Sequence, residues 1–97
     1  MSLPFIIRPL ARTDIDAAYD WYEAQQLGRG DEFLVELYER IHDVCETPEL
    51  YGRVLRKTRA ARLHRSKYII YYRIEMNRVI VSAVQHARVH PDRWKRR

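Results

Sequence analysis

A chain of 97 residues has room for one hydrophobic core, because two smaller units would each bury too little surface to hold a fold. Its composition, 46% hydrophobic and 11% aromatic with three glycines and four prolines, excludes collagen-like, low-complexity and disordered classes, and its longest apolar run is far below the ~20 residues that span a bilayer. A formal net charge of +5 favours a polyanionic partner, whether nucleic acid or an acidic protein segment, without choosing between them.

The charge is unevenly divided. Residues 1–49 hold four basic and eleven acidic side chains, whereas residues 50–97 hold fourteen basic and two acidic. Between Leu50 and Ile74 stand Arg53, Arg56, Lys57, Arg59, Arg62, Arg65, Lys67 and Arg73, with no acid among them. Two surfaces of opposite sign are expected, the positive one built by the second half.

In chain order, Phe5 to Ile7 read as a short strand closed by Arg8-Pro9. Thr13 followed by Asp16 resembles a weakened capping box, so a first helix is expected from about Asp14 to Gln26. Ile15, Ala18, Tyr19 and Tyr22 form its apolar stripe, with Asp16, Asp20 and Glu23 opposite. Gly28-Arg29-Gly30 breaks it and implies an antiparallel helical hairpin. The second helix, about Asp31 to Thr47, has the clearest periodicity: Leu34, Leu37, Tyr38, Ile41, Val44 and Cys45 on one side, and Glu32, Glu36, Glu39, Asp43 and Glu46 as a solvated acidic face. Cys45, the single cysteine, is expected to be a buried structural thiol.

After Pro48 the pattern changes from helical to β. Arg53 to Thr58 is a loop or a first short strand, and Ala60 to His64 a strand. Tyr68 to Glu75 and Arg78 to His86 are strands joined by a tight turn at Met76-Asn77, where Asn tolerates positive φ. His90 to Arg97 is a turn of helix or a basic tail containing Trp94. The expected fold is α+β, an antiparallel sheet with the helical hairpin packed on one face, in the order β-α-α-β-β-β over a single domain.

Glycine-rich phosphate loops, zinc-ligand spacings and the G-x-S-x-G motif are all missing from the sequence. Neither Cys45 with His42 nor His86 with His90 makes a persuasive metal pair, so no metal and no cofactor is expected. What remains is Arg for phosphate, Tyr and Trp for unpaired bases, and His for proton transfer. A metal-independent ribonuclease needs a base for the 2′-hydroxyl, an acid for the leaving oxygen and cations for the phosphorane. His64, His86 and His90 are candidates for the proton work and Arg59 for the catalytic cation. Arg53, Arg56, Lys57, Arg62, Arg65, Lys67, Arg73 and Arg88 are candidates for binding phosphate or an acidic segment, and Trp94 either stacks on a base or packs on the sheet.

Taken together, the ordered features resemble the RelE/ParE superfamily of toxins from bacterial type II toxin–antitoxin systems, the plasmid stabilisation proteins. They are the opening strand with Ala11 to Asp14, Trp21-Tyr22 ahead of Gly28-x-Gly30, Phe33-Leu34, Thr47-Pro48 with Tyr51, and Arg59 before a strand. Tyr68 to Tyr72, Val81 to His86, Pro91 and Trp94 complete the series. The resemblance implies a cytoplasmic toxin that inhibits growth until a cognate antitoxin with an acidic C-terminal segment wraps it. A homodimer is left open, and no membrane is involved. ParE-like members poison DNA gyrase, and RelE-like members cut mRNA in the ribosomal A site. The family often has Phe-Pro where this chain has Ser66-Lys67, and Arg-Asp where it has Val89-His90. Trp94 stands in place of a C-terminal tyrosine. These departures favour gyrase inhibition, with ribosome-dependent cleavage as the alternative and a non-toxic nucleic-acid-binding domain as a third reading.

Overall fold

The computed structural model describes residues 2–97. β1 (Phe5–Ile7) leads into α1 (Pro9–Gln25) and α2 (Arg29–Glu46), followed by β2 (Arg53–Leu55), β3 (Thr58–Arg62), β4 (Tyr68–Glu75), β5 (Arg78–His86) and a 3-10 turn at Pro91–Arg93. The sheet order is β1-β5-β4-β3-β2. The expected α+β architecture is present, with two refinements. Residues 53–55 do form a strand, and β1 runs parallel to β5, so the sheet is mixed.

α1 starts five residues earlier than Thr13-Asp14 suggests, because Pro9 sits at its first turn, where the missing N–H costs nothing. Thr13 is therefore inside the helix and its Oγ1 donates back to the Pro9 carbonyl at 3.2 Å. α2 follows Gly28, whose φ of 92° is a left-handed value that suits glycine. Glu23 does not belong to a solvated face. Its Oε1 accepts from the N–H groups of Gly28 at 2.9 Å and Gly30 at 2.8 Å, doing from the neighbouring helix what an N-cap does locally. Gly30 is fixed by close approach: a Cβ there would lie 2.7 Å from the Tyr19 ring and from Glu23 Cγ.

The helices pack on one sheet face. Ala11, Ile15 and Ala18 of α1 and Phe33, Leu37, Ile41, Val44 and Cys45 of α2 meet Ala61, Ile70, Tyr72, Val79, Val81 and Val84 of the sheet. Phe33 joins the α2 stripe, and Tyr38 leaves it: 37% exposed, it accepts from Arg12 Nη1. At the centre of the sheet the β4–β5 register slips between Tyr71 and Tyr72, which pair with Ala83 and Val81. Ser82 is the extra residue, and its hydroxyl donates to the Tyr71 carbonyl. Tyr72 faces the helices, while Tyr71 faces a second, smaller core of Ile69, Ala83 and Trp94 on the other side. Among the described residues no helix is long and apolar enough to cross a membrane.

Candidate functional site

The strands carry the positive charge as expected, but the fold distributes it over separate clefts. At the β2–β3 turn, Arg56, Lys57, Arg73, Lys95 and Arg96 line a cleft of about 570 Å³. Beside the short β2, Arg40, Tyr51, Arg53, Arg62, His64 and Tyr71 line one of about 500 Å³. Near the tip of the helical hairpin, Arg29, Arg65, Lys67, Tyr68, His86 and Trp21 line a third of about 510 Å³.

Of the residues proposed for nuclease chemistry, His64 and His86 line different clefts, and Arg59 and His90 line none of the three. Arg59 turns its guanidinium to the chain itself, donating to the carbonyls of Tyr51 at 2.6 Å and Glu49 at 3.3 Å, so it fastens the segment after α2 onto the sheet. His86 lies at the end of β5, edge-on to Tyr68, and its Nδ1 accepts from the Arg88 N–H at 3.1 Å. His90 caps the 3-10 turn, accepting from the Asp92 N–H. His64 lies against the Arg40 guanidinium. Trp94 is buried, its ring 4.0 Å from that of Tyr71, and so packs on the sheet instead of facing a base. Arg88 is exposed just beyond β5.

Burial raises the phenols of Tyr68 and Tyr71, and pushes Tyr72 up to about 12 despite the nearby Arg59. The Cys45 thiol is raised by burial and by Glu46, which makes it inert. Among the described residues no three His, Cys, Asp or Glu side chains are grouped to hold a metal ion.

A family model described as "ParE toxin of type II toxin-antitoxin system, parDE" matches residues 5–91. The chain belongs to the ParE toxin family. Two solved structures share its fold. One is a chain of the chromosomal ParDE TA system from P. aeruginosa, at TM-score 0.78 and 16% identity over 88% of this chain and 96% of that one. The other is a chain of the toxin–antitoxin complex RelBE2 from Mycobacterium tuberculosis, at TM-score 0.59 and 20% identity over 89% and 99%. Comparison with curated proteins finds no match.

On this ParE-family fold, several side chains acquire parts that their sequence positions do not announce. Glu36, on the acidic side of α2, accepts from the N–H groups of Arg65 at 2.6 Å and Ser66 at 3.0 Å and from the Ser66 hydroxyl at 2.6 Å. It thereby fixes the loop that presents Arg65 and Lys67. Arg40, Lys95 and Arg96 join the basic clefts from outside the 50–74 stretch. Trp21 gives one legible signal: it is a large aromatic one position away from the buried stripe of α1, and it is exposed.

Proposed function

We propose that this ParE-family toxin acts by occupying DNA gyrase and not by cutting RNA. The observation that carries the reading is that Arg59, His86 and His90 are each engaged within the fold, and that of the three only His86 lines one of the basic clefts described above. A general base and acid must reach the same phosphodiester, and the internal partners of these three groups tell against that. The basic clefts, by contrast, suit binding to an extended partner. A cognate antitoxin with an acidic C-terminal segment would silence the toxin by covering the same cations, in the cytoplasm where both targets lie.

Purified toxin is tested in parallel for inhibition of gyrase supercoiling and for mRNA cleavage on ribosomes. Inhibition of supercoiling is expected with mRNA left intact. His86→Ala and His90→Ala should retain inhibition, whereas Lys57→Ala with Arg73→Ala should weaken it in a graded way. Ribosomal cleavage that disappears in folded His86→Ala protein would overturn the reading.

A further inference from the structure

Trp21 is 56% exposed, with its indole against a neighbouring ring. It meets Tyr22 edge-on at 5.1 Å, Tyr22 stacks on buried Phe33 at 5.4 Å, and Phe33 packs edge-on against Tyr68 at 5.4 Å. Rings therefore lead without a break from the core to the surface. An indole at the end of this series offers a π surface that the chain itself leaves largely uncovered.

The same cleft is cationic. Arg29 comes from the start of α2, and Arg65 and Lys67 from the β3–β4 loop, with Gln25 and His86 completing the wall. Among the described residues no Asp or Glu lines it. The loop is pinned on both sides, by Glu36 at the Arg65 and Ser66 amides and by the Ala87 N–H, which donates to the Lys67 carbonyl at 2.8 Å. Because His86 Nδ1 accepts from Arg88, the neutral ring carries its proton on Nε2 and is a donor there.

We infer that this cleft binds a short single-stranded nucleic acid, with one unpaired base on Trp21 and the flanking phosphates on Arg65, Lys67 and Arg29. A duplex keeps its base faces stacked inside the helix and cannot use the indole, whereas a single strand can. A peptide of acidic residues alone, such as polyglutamate, would engage the cations and leave the indole idle. The Gln25 amide, with both a donor and an acceptor, suits a base edge. DNA and RNA share this chemistry, and the inference holds whether or not gyrase is the target.

The test uses the full chain with labelled oligothymidylate and oligouridylate of about ten nucleotides, a duplex of equal length, and polyglutamate. Binding is followed by anisotropy, and by quenching of tryptophan emission, which reports Trp21 because Trp94 is only 4% exposed. Single strands should bind most tightly and quench. Trp21→Ala should weaken binding by about tenfold, and Trp21→Phe should restore most of the loss. Arg65→Ala with Lys67→Ala should lower the salt dependence of the binding constant by about 0.7 per charge. The charge-matched pair Arg56→Ala with Lys57→Ala should leave quenching in place. Either order of preference between the two oligonucleotides supports the site and names its source. Equal affinity for duplex or polyglutamate overturns it, as does Trp21→Ala protein that binds like the parent.

Discussion

Tyr72 puts a polar group at the centre of the helix-side core and satisfies it there, its hydroxyl donating to the Pro48 carbonyl at 2.6 Å. Burial is what raises the phenol to about 12, with Arg59 pulling the other way. The folded value lies above the unfolded one of about 10. The fold thus favours the protonated form: the contribution is complete below about pH 10 and is lost as pH rises through about 12. Replacing Tyr72 by Phe should cost about 1 kcal/mol near neutrality. It should also flatten the loss of stability over that alkaline range, as read from urea denaturation at each pH. If the variant proves as alkali-sensitive as the parent, the titrating group is another one.

At the scale of elements, three carboxylates of the acidic half bond to backbone N–H groups of other segments. Glu23 serves the start of α2, Glu36 the β3–β4 loop, and Asp14 the Val84 N–H of β5 at 3.0 Å. Burial raises the Glu36 carboxyl, but the bonds from Ser66 and from the Arg65 and Ser66 amides outweigh it and hold the group below the usual carboxylate range. Its stabilising effect is accordingly present above that range and lost as pH falls through the depressed value. Glu36→Gln should destabilise the chain by roughly 1–2 kcal/mol at pH 7, a difference that shrinks below about pH 4. Faster amide exchange at Arg65 and Ser66 is the local readout, and unchanged exchange there would remove Glu36 from its role in fixing the loop.

These carboxylates also mark where reading the sequence stops. The stripes Ile15–Ala18 and Leu37–Ile41–Val44 and the Met76-Asn77 turn, with φ of 52° and 58°, follow from periodicity and turn chemistry, which are local. Glu36 has the same helical surroundings as Glu32 and Glu39, and its partners lie in a loop without a period. Likewise, Arg59 is one of eight basic residues between Leu50 and Ile74, and only the path of the chain after Pro48 brings carbonyls to its guanidinium.

Across the whole molecule, the segment after β5 folds back over the open sheet face through Trp94 and reaches around to α1. There Arg97 holds Asp14 with two bonds, Nη1 to Oδ2 at 2.6 Å and Nη2 to Oδ1 at 3.1 Å. Asp14 is 10% exposed, so the pair is poorly screened. Asp14→Ala should cost about 2–4 kcal/mol, because it also leaves the Val84 N–H without its acceptor, and Arg97→Ala should cost less. A double-mutant cycle should return a coupling of about 1–3 kcal/mol. No coupling would class the bridge with ordinary surface pairs.

The parallel pairing of β1 with β5 has a kinetic consequence. Phe5, Ile6 and Ile7 find their partners at Val79, Ile80 and Val81, so the first strand of the fold to be synthesised waits for the last. The helical hairpin and the β3–β4 contacts can form from nearby sequence, but this closure is among the most non-local in the molecule and belongs late in folding. During synthesis, therefore, a nascent toxin lacks its completed sheet and the Asp14–Arg97 bridge until the final segment has emerged.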